Sequence, residues 1–322
     1  MDYEIIAYGN SDPTRATSRS GSLREGKPVL SPSEIELLNP QTYDAVLIAS
    51  DFGMAMDAYD TLIQYRIPKE KILFLYRFEP LVGHKTWKSI CTEDGTISSI
   101  IDDSVQILER NHGDSMTLWG LLTWNEHTIS IPEDCVVIDI GMNTAMVSLL
   151  LAADSRVKKV YGFEPFQDTY KDALDNIANN NEVIRAKIYP RCAALADTEE
   201  IREVVVPNDM LSGLRSINSN ISSNSGEKDK TFNVQVLPAG KCVEAIVNEN
   251  KDAAIFLKID VEGSEFQILN DLGKNGILER INCISMEYHR YPGELILLLE
   301  YFHFDYAVNG HGSQGQIKAF HR

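Results

Sequence analysis

Residues 136–152, VVIDIGMNTAMVSLLLA, decide the fold of the C-terminal part of this chain. An apolar run, VVIDI, is followed by Gly141 and then by apolar residues at helical spacing, so the pattern predicts a buried strand that turns sharply into a helix. Corners of this kind bind nucleotides in open α/β sheets. A phosphate-binding corner carries further glycines, however, whereas here the later positions hold Asn143 and Ala145, and Asp139 stands near the strand end.

Two more predicted strands also end in acids. The strand KVYGF is followed by Glu164, and FLKID ends in Asp260, two residues before Glu262. Because ligands bind beyond the carboxyl ends of the strands in such sheets, we expect these acids to surround one ligand. Glu164 lies 23 residues after Gly141, which is typical of an acid that accepts hydrogen bonds from ribose hydroxyls.

The ligand that suits this ring of carboxylates contains a ribose, lacks phosphates and carries positive charge. S-adenosylmethionine has all three properties. Gly141 is expected to let the backbone pass close to it, because a side chain there would collide with the ligand. A nicotinamide dinucleotide fits less well, since the strand tip of a dehydrogenase is normally apolar before its glycines. Each signal also has a purely structural explanation: an ordinary capped turn at Asn143, and an acidic helix start after Asp260 that the helix dipole favours.

Strands and helices are predicted to alternate from about residue 131 onward. The last two strands are joined by a Gly-rich turn, GHGSQG, without a helix, so they should pair antiparallel. Five strand–helix units closed by such a hairpin form the topology of a methyltransferase sheet. The polar stretch 216–230 is interpreted as a mobile loop, with a lid over a substrate as the alternative. The predicted strands are CVVIDIG, KVYGFEP, AKIYPRCAAL, AIFLKIDV, INCISMEYH, YFHFDYAVN and QIKAFHR, and the helices include DTYKDALDNIANN and GSEFQILNDLG.

Residues 1–80 are predicted to form a smaller α/β domain. Strands YEIIAYG, YDAVLIAS and EKILFLY alternate with helices SPSEIELL and AMDAYDTLIQYRI. No glycine-turn unit precedes the first strand, so this is a partial Rossmann-like domain, for which a scaffolding or dimerisation role is favoured. Residues 81–130 are predicted to be a connector with helical patches such as SIIDDSVQILER, and residues 131–322 a separate domain.

Composition indicates a soluble globular protein. Of 322 residues, 43% are hydrophobic and 24% charged, and the net charge is −17. So acidic a surface disfavours nucleic acids and anionic membranes as partners. The five cysteines include no C-x-x-C pair, which argues against a disulfide framework or a zinc knuckle. No signal peptide and no membrane-spanning apolar run is visible, so a cytoplasmic protein is expected.

Five strings of this sequence resemble the FkbM family of S-adenosylmethionine-dependent methyltransferases: VVIDIGMNTAMVSLLLA, KVYGFEPF, RCAALAD, FLKIDVEGSEFQIL and ISMEYH. The resemblance covers about residues 130–322. It implies a class I methyltransferase fold, a parallel Rossmann-like sheet with a final antiparallel hairpin strand, and methylation of hydroxyls in sugars or polyketide-type products. By position it implies these cofactor-binding residues: Asp139, Gly141, Asn143, Ala145, Glu164, Ala193 and Asp260.

Within that set, the resemblance places Ala193 near the adenine and Asp260 at the methionine end. Ala145 departs from the pattern, since many relatives have glycine there; we expect binding to survive the extra methyl group. The first 80 residues are more loosely similar to small nucleotide- or CoA-binding-like α/β domains found beside sugar-modifying enzymes.

The catalytic residues are expected at the tips of the fourth and fifth strands of the sheet. Methyl transfer to oxygen needs an aligned acceptor, exclusion of water and a base. His289 is the first candidate for the base, since imidazole titrates near neutral pH. Glu287 lies on the same side of the strand and either orients His289 or acts instead. Asp260 completes the predicted set, and a strand-end His289 bonded to backbone is the structural alternative.

No metal ion is expected, although Asp260, Glu262 and Glu287 offer the hard oxygen ligands that Mg²⁺ prefers. The acceptor is predicted to be a small molecule, a sugar or nucleotide sugar. Methylation of nitrogen or carbon, and a cofactor-binding protein without catalysis, are the alternatives. The oligomeric state is left open, a homo-oligomer included. Basic residues that suit a nucleotide-sugar phosphate, with a solvated surface as the alternative for each, are Lys85, Lys88, Arg191, Arg215 and Arg290.

Overall fold

The strand that carries Asp139 lies within a seven-stranded sheet in the C-terminal part of the chain. The computed structural model divides the chain into two compact units, Met1–Asp103 with Ile107–Thr123, and Ser104–Gln106 with Trp124–Arg322. The predicted boundaries near residues 80 and 130 stay predictions. The described residues are 8–9, 23–24, 27–30, 32–44, 46–48, 61–68, 71–74, 86–92, 96–123, 131–208, 210–218 and 229–322.

The described residues of the N-terminal part form two small sheets. The strands are β1 (Tyr8–Gly9), β2 (Leu23–Arg24), β3 (Lys27–Leu30), β4 (Val46–Ile48), β5 (Ile72–Phe74), β6 (Trp87–Cys91), β7 (Ile97–Ile101) and β8 (Val105–Glu109), and the helices are α1 (Pro32–Glu36), a 3-10 turn (Pro40–Thr42), a helical stretch at 61–64 and α2 (His112–Thr123). The sheets have the orders β1-β3-β2 and β4-β5-β6-β7-β8. β4 and β5 pair in parallel, as an α/β domain requires, whereas β6 pairs antiparallel with β5 and β7.

The segment SIIDDSVQILER is not helical. It contributes to β7 and β8, and Asp102 and Asp103 between them have positive φ angles of +51° and +55°. Alternate residues of β8 are buried, which is the period-two pattern of a strand with one face on the core. The helical prediction was wrong because apolar residues in this short segment fit both periods. Most of YEIIAYG and the first six residues of AMDAYDTLIQYRI lie outside the described residues.

The C-terminal part contains ten strands and six helices among its described residues. The strands are β9 (Cys135–Ile140), β10 (Val157–Phe163), β11 (Ile188–Arg191), β12 (Ala194–Ala196), β13 (Glu200–Val206), β14 (Lys230–Pro238), β15 (Ala254–Ile259), β16 (Cys283–His289), β17 (Phe304–His311) and β18 (Gln314–His321). The helices are α3 (Met146–Ala153), α4 (Gln167–Ala178), α5 (Glu182–Arg185), α6 (Ala239–Glu249), α7 (Glu265–Lys274) and α8 (Gly293–Tyr301), with 3-10 turns at Ser212–Leu214 and Leu278–Arg280.

The large sheet has the strand order β11-β10-β9-β15-β16-β18-β17. β9, β10, β11, β15 and β16 run parallel, and β18 is antiparallel to both of its neighbours. Only two residues, 312 and 313, separate β17 from β18, so the hairpin loop is tighter than the GHGSQG turn. The predicted α/β topology, a parallel sheet closed by an antiparallel hairpin strand, is confirmed.

The central strands are buried on both faces, which explains their continuous apolar sequences. All six residues of β9 are buried, and β15 is buried from Ile255 onward. Helices α6 and α7 contribute apolar residues to the same core, among them Val243 and Ile268. No helix among the described residues has the length and apolar character needed to cross a lipid bilayer.

The predicted strand AKIYPRCAAL is split between two sheets. β11 ends at Arg191, the backbone N–H of Ala193 bonds back to the carbonyl of Arg191, and β12 then joins a separate sheet of order β12-β14-β13. Neither β13 nor β14 was predicted. The turn leaves Ala193 at the end of the large sheet. Of the stretch 216–230, predicted to be mobile, residues 219–228 lie outside the described residues.

Candidate active site

A cavity opens at the carboxyl ends of β9, β10, β11 and β15. It is partly open to solvent. Gly141, Asn143, Glu164, Ala193 and Asp260 line it. The structure thus brings five of the seven predicted cofactor-binding residues together around one space.

Asp139 and Ala145, the other two, do not line the cavity but lie fully buried next to the turn that does. Ala145 precedes α3 in the left-handed backbone region, with φ +66°. Gly141 has φ +84°, and a Cβ built on it would overlap the backbone carbonyl oxygen of Asp260. The close approach of the chain after β15 therefore already requires a glycine here, and a close approach to the ligand stays a prediction.

A buried lysine, Lys258 on β15, joins two of the predicted acids. Its Nζ lies 3.1 Å from Oδ1 of Asp139 and 3.7 Å from Oδ2 of Asp260, and it donates to the carbonyl of Gly141. Burial lowers the pKa of Lys258, but the two carboxylates outweigh it and raise that pKa above its usual value. Asp139 also accepts a hydrogen bond from Ser148 Oγ at 2.6 Å. The predicted ring of carboxylates thus encloses a cation, and Asp139 acts on the cavity through Lys258.

Glu164 lies in the cavity wall at the end of β10 and is 5% exposed. Its carboxylate oxygens accept hydrogen bonds from the backbone N–H groups of Asn143 and Phe166, both at 3.0 Å. Burial raises the pKa of Glu164 to about 7, against the lowering effect of these hydrogen bonds. Each oxygen has a second lone pair, so Glu164 remains able to accept hydrogen bonds from a ligand.

His289, at the end of β16, is surrounded by carboxylates. Its Nδ1 lies 2.8 Å from Glu265 Oε1, and its Nε2 lies 3.2 Å from Glu262 Oε2 and 3.7 Å from Glu287 Oε1. Burial lowers the pKa of His289, but Glu262 and Glu265 more than reverse this and raise it to about 10. A pKa this high favours the protonated imidazole at neutral pH, which makes His289 a poorer base than the sequence suggested; its catalytic role stays a prediction.

Glu287 lies beside this imidazolium, with a side chain that is 26% exposed. Gln314 Nε2, on the hairpin strand β18, donates to Glu287 Oε1 at 2.9 Å. Burial and the charge of Asp260 raise the pKa of Glu287, while Gln314 and His289 lower it. A carboxylate with a raised pKa is a better proton acceptor at neutral pH than an ordinary one.

One set of described residues has the spacing of a metal site. Asp260, Glu287 and His289 each offer a ligand atom, and these atoms lie within 4.8 Å of one another. A metal ion there would have to replace the proton held on His289, since only neutral imidazole coordinates metals. Metal-independent transfer stays a prediction.

The basic residues considered for a phosphate have different surroundings. Lys85 lies outside the described residues, and Lys88 pairs with Asp103 at 2.6 Å. Arg191 and Arg290 are exposed at the surface. Arg215 differs, because it lines the cavity.

Residues 139–306, more than half of the chain, match the family profile described as the methyltransferase FkbM domain. The chain belongs to the FkbM methyltransferase family. Methyl transfer is the reaction that the description of this family names. The match begins at Asp139 and includes both Glu164 and Asp260, so the cavity lies inside the family domain.

Three solved structures are similar to this chain at low sequence identity. A protein of the NADB-Rossmann superfamily from Streptococcus agalactiae is 13% identical with a TM-score of 0.36, over 60% of this chain and 64% of its own. TrmK of M. capricolum, in complex with S-adenosyl-homocysteine, is 12% identical with a TM-score of 0.33, over 60% and 64%. A precorrin-6y C5,15-methyltransferase from Geobacter metallireducens is 12% identical with a TM-score of 0.33, over 59% and 82%.

The chain spans less than two thirds of the length of the first two of these proteins. Similarity at this level does not bear on the acceptor. Among proteins with curated descriptions, none matches this chain in sequence.

The cavity residues fit S-adenosylmethionine. Oδ1 of Asn143 is buried in the cavity wall and has no hydrogen-bond partner among the described residues. The cofactor brings ammonium, hydroxyl and amino donors, which suit such an acceptor and the carboxylate of Glu164. Ala193 and Leu195 add an apolar surface of the kind that an adenine ring covers.

The affinity for S-adenosylhomocysteine is expected to rise with pH through about 7. Glu164 is protonated below its pKa of about 7 and ionised above it, and only the ionised form accepts hydroxyl hydrogen bonds at both oxygens. Calorimetric titrations between pH 6 and pH 8.5 measure this. Glu164→Gln should bind about tenfold more weakly at high pH and lose the rise. Any pH dependence of the ligand itself persists in that variant, so two parallel curves would contradict the assignment.

Proposed function

We propose that this protein is an O-methyltransferase that methylates a hydroxyl group of a sugar or a nucleotide-linked sugar. S-adenosylmethionine, when bound, supplies the electrophilic methyl group. The observation that carries the proposal is the position of the Glu287 carboxylate. It lies between Gln314 and the imidazolium of His289, and it is close to Asp260, which lines the cavity. Hydroxyl groups need a base for methylation, and this carboxylate provides one.

Glu287 is the base in this proposal. It takes the hydroxyl proton as the new carbon–oxygen bond forms, and its raised pKa suits that role near neutral pH. His289 is a positioning residue: it is fixed by Glu262 and Glu265, and its positive charge lowers the pKa of Glu287, against the larger effect of burial. The proposal therefore assigns the role of base to Glu287, which the sequence analysis gave as the alternative to His289.

The cofactor is held by residues from four strand ends in this proposal. Glu164 accepts hydrogen bonds from the ribose, and Ala193 contacts the adenine. Asn143 and Asp260 lie toward the methionine part, while Gly141 gives the turn its close approach. These roles follow the family pattern, and the common cavity supports them.

A small-molecule acceptor is favoured over nucleic acid. The chain has a net charge of −17, and Asp260, Glu262 and Glu287 cluster at the site. A polyanionic backbone would be repelled from such a surface. Carboxylates are also good acceptors for the several hydroxyls of a sugar ring. A cytoplasmic location, a homo-oligomer and a scaffolding role for the N-terminal part are proposed on the sequence alone.

Replacing Glu287 by glutamine is expected to lower kcat by about 10²- to 10⁴-fold, while the affinity for S-adenosylhomocysteine changes little. The amide keeps the size of the side chain but cannot accept the proton. Release of S-adenosylhomocysteine is measured with a panel of sugars and nucleotide sugars, with transfer RNA as a further acceptor. Glu279→Gln is the matched control, because Glu279 is exposed on the 3-10 turn Leu278–Arg280.

Three results would contradict the proposal. An unchanged kcat in Glu287→Gln would show that Glu287 is not the base. Turnover with transfer RNA and with no sugar would show that the acceptor is not a sugar. Loss of activity in EDTA, restored by a divalent cation, would show that Asp260, Glu287 and His289 hold a metal ion instead.

A further inference from the structure

Arg215 is a buried cation in the wall of the cofactor cavity. It follows the 3-10 turn Ser212–Leu214, and its side chain is 6% exposed. The guanidinium carbon lies 5.6 Å from the ring centre of Phe166 and 5.4 Å from that of Phe232. Its Nη1 donates to Asp168 Oδ1 at 2.7 Å. Two aromatic rings and an ion pair therefore fix this guanidinium in place.

The Nε–H is a buried donor of this fixed group. Nε of Arg215 is buried and has no hydrogen-bond partner among the described residues. Buried donors are nearly always paired, and an unpaired N–H on a charged group is especially costly. A ligand that brings an acceptor atom to this point would therefore gain affinity.

The neighbours of Arg215 indicate which half of the cofactor is near. Arg215 lines the same cavity as Glu164 and Ala193, and its charge is one of the influences that lower the pKa of Glu164, against the larger effect of burial. The guanidinium of Arg215 packs against the ring of Phe166, and the backbone N–H of Phe166 donates to Glu164 Oε1 at 3.0 Å. Arg215 therefore accompanies the residues assigned to the ribose and the adenine.

We propose that Arg215 binds the adenosine half of the cofactor, by donating its Nε–H to a ring nitrogen of the adenine or an oxygen of the ribose. The inference rests on the proposed placement of the ribose at Glu164. Adenosine offers several such acceptors in its ring nitrogens and its ribose oxygens. Neither the sequence pattern nor the family resemblance assigned a cofactor role to Arg215.

Two substitutions separate this contact from a purely structural role. Arg215→Lys keeps the charge and the ion pair with Asp168 but removes the Nε donor. Asp168→Asn keeps the donor but weakens the ion pair. Dissociation constants are measured by calorimetry for S-adenosylhomocysteine and for 5′-methylthioadenosine, which lacks the amino-acid part. Arg185→Lys is the matched control, because Arg185 pairs with Glu182 at the surface.

Arg215→Lys is expected to raise both dissociation constants about tenfold or more. Asp168→Asn should raise them less than about threefold, and Arg185→Lys should leave them unchanged. If Arg215→Lys does not fold, the binding of deaza and deoxy analogues of 5′-methylthioadenosine to the unaltered protein is measured instead. One of them should then lose about tenfold in affinity.

Other results would overturn the inference. Equal losses in Arg215→Lys and Asp168→Asn would mean that Arg215 only holds the wall, and a loss for S-adenosylhomocysteine alone would place the contact at the carboxylate. Full affinity in Arg215→Lys, or full affinity for every analogue, would show that Arg215 does not bind the adenosine half. If the unaltered protein binds neither ligand, the placement of the cofactor fails first, and that outcome is distinct from the others.

Discussion

Replacing Lys258 by methionine is expected to lower the free energy of unfolding by about 3–5 kcal/mol and to abolish cofactor binding. Lys258 is 2% exposed and is the partner of Asp139, which is fully buried, and of Asp260. Removing it leaves two carboxylates to repel each other next to the turn at Gly141, whose carbonyl also loses its donor. Methionine fills a similar volume, so the loss isolates the charge.

Chemical denaturation followed by circular dichroism measures the change. Lys241→Met is the matched control: Lys241 is 75% exposed and lies 3.6 Å from Glu199, so its loss should cost less than about 1 kcal/mol. The double variant Lys258→Met with Asp139→Asn should regain part of the stability, because Asp139 and Lys258 are paired across β9 and β15. A cost equal to that of the control would show that the buried ion pairs contribute nothing.

Replacing Gly141 by alanine is expected to cost about 4 kcal/mol or more. The φ angle of +84° is unfavourable for alanine, and the added methyl group would overlap the carbonyl oxygen of Asp260. Relief requires the ends of β9 and β15 to separate, which breaks the hydrogen bond from Asp260 N–H to the Ile140 carbonyl, now 2.9 Å long. Both stability and binding of S-adenosylhomocysteine should therefore fall.

Gly276→Ala separates the cost of the positive φ angle from the cost of the steric overlap. Gly276 has φ +68°, but a Cβ there meets nothing within 4 Å, so this substitution should cost only about 1–2 kcal/mol. Thermal and denaturant unfolding of both variants give the comparison. If Gly141→Ala costs no more than Gly276→Ala, the close approach of the two strand ends is not what requires the glycine.

The sequence was sufficient to predict the topology of the large sheet and five of the residues that line the cavity. Apolar strands that end in Asp139, Glu164 and Asp260 are a local pattern, and the rule that ligands bind at carboxyl ends of parallel strands brings them together. The hairpin of β17 and β18 was equally visible, because no helix fits into the few residues between them.

The properties that depend on contacts between residues far apart in the chain could not be predicted from local sequence patterns. Lys258 is a single polar residue in the apolar strand AIFLKI, and only the register of β15 on β9 shows that it lies opposite Asp139. The charge on His289 depends on Glu262, in the turn after β15, and on Glu265, at the start of α7. The break between β11 and β12 depends on β14, which pairs with β12 from more than 30 residues further along the chain.

The position of β18 has a consequence for synthesis of the protein. This strand lies between β16 and β17, and its residue Gln314 holds Glu287 in place. While a ribosome is still translating residues 314–321, the edge of β16 has no partner, and β17 has nothing to pair with. The nascent chain therefore carries an open sheet edge until the hairpin inserts, and the proposed base acquires its fixed position in that same late step.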